Sequence, residues 1–386
     1  QGNCLWGKEG RQICSAATQP RFPLVVSDDA SGAIIAWSDN RHGSEDTFKW
    51  SAYAQRLGPQ GNAIWAEGGI CVSAGPVDDS QELLELVNDG SGGAILLWYN
   101  RYKIDEGDEL TVHAQRVGPD GNCLWGEQGI QICGRPPDAR WVKLIGDGSG
   151  GAIIVWEDNR GWDTDIYAQR ISSDGRILWP DSGVPVVNAS GAQLTPQIVS
   201  DGMGNFIIAW KDSQDSRSDI GKNDIYVQKI DAKGELLWGE GGIPVCTVPK
   251  NQSHHQLASD DSGGCIVIWL DNRNRPNRDV YAQRVSSTGE IVWVRDGVLI
   301  WDVSGVDESS PLVGSYDAQI VSDNAGGALV VWQVNPESSA VGGFKGGQIY
   351  AQRLSPTGEL LWPEAGVSVY DNPSLKSQGY SSVVSD

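Results

Sequence analysis

Residues 150–179 read GGAIIVWEDNRGWDTDIYAQRISSDGRILW, and this stretch contains most of a unit that recurs along the 386-residue chain. It starts with a glycine pair and a short β-branched run that ends at Trp156. A polar loop separates this run from Asp165-Ile-Tyr-Ala-Gln-Arg170, and a turn leads to Gly175-Arg-Ile-Leu-Trp179. Self-similarity of this kind indicates a repeat architecture, so the fold is derived from one repeat.

Three motifs mark the repeat. A Gly-x-x-apolar-Trp motif recurs about every 59 residues and ends at Trp6, Trp65, Trp125, Trp179, Trp238, Trp293 and Trp362. The β-branched run ends at Trp37, Trp98, Trp156, Trp210, Trp269 and Trp332. The Tyr-Ala-Gln-Arg motif and its variants end at Arg56, Arg116, Arg170, Lys229, Arg284 and Arg353. All but four of the 17 tryptophans therefore occupy repeat positions.

Each repeat predicts four short antiparallel strands. Glycine-rich turns such as Asp147-Gly-Ser-Gly-Gly151 suit hairpins, and the runs between turns are too short for buried helices. Four strands about every 59 residues is typical of the blades of a β-propeller, in which radial repetition protects the strand edges. The predicted fold is therefore an all-β propeller of four-stranded blades. An elongated β-solenoid is the alternative.

The ends of the chain leave the number of blades open at six or seven. Six complete repeats lie between about residues 18 and 370 and form a single predicted propeller domain over 1–386. Residues 1–17 add a fourth-strand segment, and residues 371–386 add a first-strand segment. The native chain is longer, or the ring closes with six blades, or the spare strands pair with a neighbouring molecule as in donor-strand exchange.

The pattern Gly-Gly-Ala-Ile-Ile-Val-Trp-x-Asp-Asn-Arg, then Asp-Ile-Tyr-Ala-Gln-Arg, then Gly-x-x-Leu-Trp resembles the repeats of secreted bacterial surface propellers. These proteins are often multidomain and are mostly uncharacterised. The resemblance covers nearly the whole chain and implies an extracellular or cell-surface location. It implies no particular ligand or activity.

Two cysteine pairs are candidates for disulfides. Cys4 and Cys14, and likewise Cys123 and Cys133, flank a Gly-x-x-Gly turn at identical spacing. Such a turn could bring the two sulfurs within bridging distance, and a bridge would imply an oxidising compartment. The alternative is that they are small buried thiols.

Charge and motif content restrict the function. The net charge of −21 disfavours nucleic acid and anionic membrane surfaces as partners, and no apolar run is long enough to span a bilayer. The chain has no Gly-x-Ser-x-Gly, P-loop, His-Glu-x-x-His or dinucleotide motif. We therefore predict no catalytic residues, no enzyme activity and no cofactor. Calcium remains a candidate cation because acidic loops such as Asp163-Thr-Asp165 carry oxygen ligands.

Recurrent polar residues are expected to brace loops and strands, because an enzyme site requires one asymmetric arrangement. A ligand site is instead expected where the repeat is broken, and four tryptophans outside the repeat are the candidates: Trp50, Trp141, Trp162 and Trp301. The predicted function is a surface or structural module that binds proteins or copies of itself, with head-to-tail assembly through the terminal strands. A carbohydrate-binding lectin is the alternative, and a glycan-active enzyme has the weakest support.

Overall fold

The computed structural model of the chain describes residues 6–7, 9–14, 20–41, 50–73, 80–104, 107–134, 141–213, 222–274, 278–302, 315–334, 338–339, 343–344, 348–363, 366–369 and 383. All named secondary-structure elements in these ranges are β-strands. Within the same ranges, no helix has the length and apolar character needed to cross a membrane.

The strands form six four-stranded antiparallel sheets, here called blades 1 to 6, with the strands of each sheet in sequence order. Blade 1 consists of β1 (Arg21–Ser27), β2 (Ala33–Asp39), β3 (Ser51–Leu57) and β4 (Ile70–Cys71). Blade 2 consists of β5 (Ser80–Asn88), β6 (Ala94–Ile104), β7 (Gly107–Val117) and β8 (Ile130–Gly134). Blade 3 consists of β9 (Lys143–Gly146), β10 (Ala152–Asp158), β11 (Asp165–Ile171) and β12 (Val184–Val187).

The remaining blades repeat this plan. Blade 4 consists of β13 (Ala192–Ser200), β14 (Phe206–Ser213), β15 (Asp224–Ile230) and β16 (Ile243–Cys246). Blade 5 consists of β17 (Gln252–Ser259), β18 (Cys265–Asp271), β19 (Asp279–Val285) and β20 (Val298–Trp301). Blade 6 consists of β21 (Ser315–Ser322), β22 (Ala328–Val334), β25 (Gln348–Leu354) and β26 (Val367–Ser368), with the two-stranded sheet β23 (Ser338–Ser339) and β24 (Gly343–Phe344) between β22 and β25.

The predicted fold class is confirmed, because all six sheets have the four-stranded antiparallel form of propeller blades. The chain divides into two compact units. Unit 1 comprises Gln1–Asn159 and Tyr167–Pro185, and unit 2 comprises Arg160–Ile166 and Val186–Asp386. Blades 1 and 2 belong to unit 1 and blades 4 to 6 belong to unit 2, whereas blade 3 has residues in both.

The second strand of each blade is the most buried. In β10 all seven residues are buried, which explains the uninterrupted apolar run at this position. Trp156 at its end stacks on Tyr167 with ring centroids 6.3 Å apart, and its indole N–H donates to Asp158 Oδ2 over 2.9 Å. The buried ring therefore keeps its one polar group satisfied.

The recurrent basic residue of the third strand braces the first turn of its own blade. In blade 3, Asp147 accepts hydrogen bonds from the backbone N–H groups of Ser149 and Gly151 (2.8 and 2.9 Å), and Arg170 donates to its other oxygen over 2.8 Å. The equivalent ion pairs are Arg56–Asp28, Arg116–Asp89, Lys229–Asp201, Arg284–Asp260 and Arg353–Asp323. These charged hydrogen bonds join the turn to the sheet.

Tryptophans that end the Gly-x-x-apolar-Trp motif join successive blades inside a unit. In unit 1, Trp65 Nε1 donates to Pro119 O of blade 2 over 3.0 Å. In unit 2, Trp293 Nε1 donates to Pro356 O of blade 6 over 3.0 Å. A Cβ on Gly121 would lie 2.9 Å from the Trp65 ring, so the turn that receives the ring requires glycine.

The predicted Cys123–Cys133 disulfide is wrong, since both residues are thiols. Cys123 lies opposite Val117 of β7, and Cys133 lies opposite Val112 of the same strand. Five residues along a strand span about 17 Å, whereas a disulfide needs Cα atoms within about 7 Å. The Gly-x-x-Gly turn continues the chain along β7 and does not fold it back.

The other pair and the terminal strands are only partly covered by the structure. Cys4 lies outside the described residues, and Cys14 is a thiol. Trp6 donates to Pro59 O over 2.9 Å, the same contact that Trp65 makes with blade 2. Residues 1–5 and most of 370–386 lie outside the described ranges, so pairing of the terminal strands stays a prediction.

Candidate functional site

The four tryptophans outside the repeat occupy different environments. Trp50 is buried with 5% exposure beneath the Arg21 guanidinium, so its prediction as a ligand-binding aromatic is wrong. Trp301 is partly buried in β20 and packs against Trp332, with the two ring centroids 6.4 Å apart. Trp141 is 38% exposed, and Trp162 is 101% exposed. Only Trp162 presents its whole ring to solvent.

The loop that carries Trp162 is held against the start of β13 in unit 2. Gly191 N donates to Asp163 Oδ2 over 3.1 Å, and Gln193 N donates to Thr164 O over 2.7 Å. These two bonds fix the backbone on the C-terminal side of Trp162. The exposed ring is thus attached to an anchored loop, which lowers the entropy lost when a ligand stacks on it.

The Asp-Asn-Arg triplets brace the ends of the second strands. In blade 5, Arg273 donates to Asp271 Oδ2 over 2.6 Å and to Cys246 Sγ over 3.2 Å, and its guanidinium lies 3.8 Å above the Tyr281 ring. Burial raises the pKa of the Cys246 thiol to about 12, so this sulfur stays protonated and unreactive at neutral pH. The Arg273 guanidinium is thus held by Asp271, Cys246 and Tyr281, although its Nε and Asn272 Oδ1 are buried without a hydrogen-bond partner, so the triplet acts as a brace of the loop.

An asymmetric arrangement occurs instead on the first strands of unit 2. In each of these first strands, two residues are left unpaired with the second strand at a β-bulge. The bulge lies between Leu194 and Gln197 in β13, between Ser253 and Gln256 in β17, and between Tyr316 and Gln319 in β21. The first skipped residue has a left-handed backbone, with φ of 57° at Thr195, 53° at His254 and 49° at Asp317. Bulges re-aim side chains and are frequent beside functional sites.

The bulge presents two rows of side chains to solvent. The first, called the front row, is Thr195, His254 and Asp317; the second, called the amide row, is Gln197, Gln256 and Gln319. All six are partly or largely exposed, whereas the residue between the two rows is buried in each strand. β17 packs against both β13 and β21, so the rows run across three neighbouring strands of one unit.

The amide row is open for binding. Within the described part of the chain, the side-chain amides of Gln197, Gln256 and Gln319 make no hydrogen bond with protein. The recurrent third-strand glutamines differ, because Gln169 is fully buried, donates to Pro180 O and accepts from Trp179 N. Buried amides are satisfied by protein, and the amide row leaves its donors and acceptors for another partner.

In unit 1 the equivalent positions, counted back from Asp28, Asp89 and Asp147, carry different chemistry, and only Phe22 repeats the left-handed bulge. Its front-row equivalents are Phe22, Leu83 and Trp141, and its amide-row equivalents are Leu24, Glu85 and Lys143. Lys143 Nζ forms an ion pair with Glu85 Oε1, so these two charges neutralise each other. The polar rows are therefore a property of unit 2 and not of the repeat.

His254 connects the rows to nearby charges. Burial lowers the pKa of His254, and the positive charges of Arg278 and Lys211 lower it further against the opposing effect of Asp317. Its Nδ1 lies 3.1 Å from Ser253 Oγ. Burial lowers the pKa of the adjacent His255 to about 4. Both imidazoles are therefore neutral near pH 7, and His254, whose Nδ1 contacts Ser253 Oγ, leaves Nε2 as the ring nitrogen for the site.

Metal ligation is not indicated by the described residues, among which no three His, Cys, Asp or Glu side chains are grouped to hold an ion. Of the acidic loops that made calcium a candidate, Asp163 instead accepts the Gly191 N–H. The absence of a cofactor stays a prediction.

The polar rows were missed in the sequence because first strands share no motif residue at these positions. They align once each first strand is counted back from the aspartate that opens its turn: Asp201, Asp260 and Asp323. Glutamine then occurs four residues before the aspartate in three successive repeats. This recurrence of glutamine, confined to the second half of the chain, is the sequence signal that could have identified the amide row.

Comparisons with known proteins support the fold. No family model and no curated protein matches the chain. Among solved structures, the polysaccharide lyase Uly1 is 9% identical with a TM-score of 0.50, covering 82% of this chain and 77% of the lyase. A six-bladed fucose-recognising lectin of Aleuria aurantia is 11% identical (TM-score 0.39; 88% and 92% covered), and a thermostable family-43 glycoside hydrolase is 12% identical (TM-score 0.34; 74% and 96% covered).

The likeness to Uly1 supports the fold and corrects one prediction. The repeat architecture was used to predict a binding or structural module without enzyme activity. Uly1, which shares the architecture at a TM-score of 0.50, is a polysaccharide lyase, so that prediction was wrong to treat the architecture as an argument against catalysis.

Proposed function

We propose that the chain recognises carbohydrate through the front row and amide row of unit 2. The observation that carries this proposal is the amide row, in which three glutamines at one register position keep their amides unbonded by protein. A primary amide offers donors and an acceptor side by side, which matches a pair of neighbouring sugar hydroxyls. Beside it lie His254, Asp317 and Thr195, whose hydroxyl donates to Leu194 O over 2.8 Å.

Trp162 supports the same proposal. It lies two residues before Thr164, whose carbonyl is bonded to Gln193, and Gln193 lies two residues before Thr195 of the front row. Two residues of extended chain span about 7 Å on each side of this hydrogen bond, so Trp162 lies within about 20 Å of Thr195. An aromatic face for the apolar side of a sugar ring and polar groups for its hydroxyls are the two components that a carbohydrate site needs.

The test is binding to soluble polysaccharides by affinity electrophoresis and calorimetry, with arabinan, xylan, mannan, polygalacturonate and carrageenan as probes. Gln256→Ala and Trp162→Ala are each expected to weaken binding about tenfold, because each removes a hydrogen-bonding or stacking contact worth about 1.4 kcal/mol. Trp141→Ala, at the equivalent front-row position of unit 1, is the matched control and is expected to bind like the parent. Thermal melting verifies that each variant is folded.

Two results would refute the proposal. One is that the folded parent protein binds none of the five glycans, and the other is that Gln256→Ala and Trp162→Ala bind as tightly as Trp141→Ala. Released reducing ends and unsaturated products are measured in the same samples. Products that form with the parent and disappear with Gln256→Ala would assign a reaction to this site.

The finer predictions about assembly and location keep their own tests. Head-to-tail assembly involves the terminal segments, most of which lie outside the described residues, and electron microscopy of the uncrosslinked protein distinguishes single discs from joined ones. An extracellular or surface location is proposed from the resemblance and is tested by fractionation of the producing cell.

A further inference from the structure

Two carboxylates lie opposite each other in blade 4 of unit 2. Asp212 near the end of β14 pairs with Asp224, the first residue of β15. In blades 1 and 5 an arginine two residues further on neutralises the equivalent aspartate of the second strand, through the pairs Arg41–Asp39 and Arg273–Asp271. Blade 4 has Gln214 at that position. Its two carboxylates therefore lack the positive charge that the repeat supplies in those blades.

Buried acceptor atoms accompany this carboxylate pair. Gln193 of β13 is the strand partner of Asp212 and is fully buried. Among the described residues, neither its Oε1 atom nor Oδ1 of the buried Asp212 has a hydrogen-bond partner. Since buried acceptors are normally satisfied, these two oxygens are suited to a donor that a ligand supplies. A donor that is also a cation would in addition neutralise the carboxylates.

The carboxylate pair keeps its negative charge. Burial raises the pKa of Asp212 against the opposing effects of the Trp210 indole and the Gln193 amide. Burial and the charges of Asp212 and Asp296 raise the pKa of Asp224 to about 6, and no positive charge among the described residues lowers either pKa. Cations at the neighbouring strand ends are engaged elsewhere: Arg273 bonds to Asp271, Arg295 lies 3.7 Å from Asp296, and Lys211 and Arg278 have protein partners of their own.

The carboxylate pair adjoins the proposed carbohydrate site. Gln193 lies two residues before Thr195 of the front row, and its backbone N–H donates to Thr164 O in the loop that carries Trp162. Two strand spacings of about 5 Å and two residues of about 3.4 Å place the Cα atom of Asp224 about 12 Å from that of Thr195. Asp224 is partly exposed, so a glycan of several sugars on the front row can reach its carboxylate.

We infer that the site takes a glycan with a free amino group and that Asp224 binds the protonated amine. This inference rests on the proposed function and narrows its ligand class. An ammonium group supplies three hydrogen-bond donors and a positive charge, which match the acceptors and the charge of the pair. Asp224 contacts the ligand, whereas the buried Asp212 adds its charge from behind. The amide row binds hydroxyls, which charged and uncharged glycans share.

The experiment compares glycans that differ only at the amino group. A tetramer of β-1,4-linked glucosamine is paired with its fully N-acetylated form, and binding is measured by calorimetry at pH 6.5. This pH lies above the pKa of Asp224, about 6, and below the range of about 7.7–8.0 in which α-amino groups titrate. The parent protein is expected to prefer the amino form by about tenfold or more. Asp224→Asn is expected to lose about tenfold on the amino form and to bind the acetylated form unchanged. Glu240→Gln, which removes an exposed carboxylate from a turn of blade 4, is the charge-matched control.

The outcomes separate this inference from the proposed function. Equal binding of the two tetramers, both lost in Gln256→Ala, would overturn amine recognition and retain carbohydrate recognition. Binding of xylan or mannan without binding of either tetramer would do the same. A preference for the amino form that survives in Asp224→Asn would also overturn the inference. Loss of the preference in Asp224→Asn, with Glu240→Gln unaffected and both variants folded by thermal melting, would establish it.

Discussion

From Trp65 to Trp362, the glycine four residues after each motif tryptophan lies in close contact with the buried tryptophan of the second strand. Gly183 of blade 3 has φ of +77° and closes a turn by donating its N–H to Pro180 O over 2.7 Å. A Cβ at this position would lie 2.6 Å from Trp156 Cη2 and 2.9 Å from Ala168 O. Neither neighbour can retreat, because the Trp156 ring is fully buried and Ala168 belongs to β11. Gly183→Ala is therefore expected to destabilise the protein severely.

The magnitude has two parts. A left-handed conformation costs a residue with a Cβ about 1–2 kcal/mol, and overpacking a rigid core adds about 1–3 kcal/mol. The sum predicts a loss of about 2–5 kcal/mol for Gly183→Ala. Gly148 of the same blade has φ of +75° but no atom within 4 Å of an added Cβ, so Gly148→Ala isolates the conformational part at about 1–2 kcal/mol.

The assay is equilibrium urea unfolding of the parent and both variants, followed by tryptophan fluorescence and by calorimetry to test whether one transition describes the data. The two variants are expected to differ by about 1–3 kcal/mol. Equal losses for Gly183→Ala and Gly148→Ala would refute the steric argument, because only the left-handed backbone is common to both. A loss confined to Gly148→Ala would refute it more strongly.

Three further predictions concern charges and thiols. Asp260→Ala is expected to lower the free energy of unfolding in urea by about 3–5 kcal/mol. The change leaves the partly buried Arg284 guanidinium without its carboxylate partner and two turn N–H groups without an acceptor. Burial and neighbouring carboxylates raise the pKa of Asp224 from 3.8 to about 6, so its stabilising protonated form is lost as pH rises through about 6. Asp224→Asn should accordingly match the parent at pH 4 and exceed its stability at pH 7.5 by about 1 kcal/mol, after allowance for solvent screening. Alkylation of the unreduced, unfolded protein followed by mass spectrometry should label Cys123 and Cys133 as thiols.

Each of these has a control or a contrary outcome. Asp174→Asn, in the exposed pair with Arg176, is expected to leave the free energy of unfolding nearly unchanged. If Asp260→Ala is equally harmless, the bracing role of Asp260 is contradicted. A pH-independent effect of Asp224→Asn would show that its raised pKa is not linked to folding. Recovery of a cross-linked Cys123–Cys133 peptide would contradict the strand register that separates the two sulfurs.

The repeat made the strands predictable because the residues that define them serve one purpose in every blade. Trp156 and its equivalents fill the sheet core, Arg170 and its equivalents brace the first turn, and recurrence alone distinguishes them from ligand-binding residues. Sequence spacing failed for Cys123 and Cys133, because a Gly-x-x-Gly turn can either reverse a chain or shift it along its neighbour. The register of β7 with β8 decides between these, and register depends on tertiary packing.

The candidate site was less predictable than the fold. Variation between repeats selected Trp162, which is exposed, but it equally selected Trp50, which is buried beneath Arg21 of β1. Gln256 and its neighbours could not be ranked as accessible from sequence, because the bulge that turns them outward arises from strand pairing. A glutamine with a satisfied amide and one with an open amide look identical in a sequence, as Gln169 and Gln256 illustrate.

The bulge in the first strand gives this protein a way to change its ligand without endangering its fold. Its backbone course is set by strand pairing and by the aspartate-capped turn, whereas the side chains of the two rows contribute little to the tryptophan core. Substitutions at those positions are therefore expected to change the free energy of unfolding little, and each repeat contains one front-row and one amide-row position. Under the proposed function, a chain built this way can diversify its recognition surface one blade at a time.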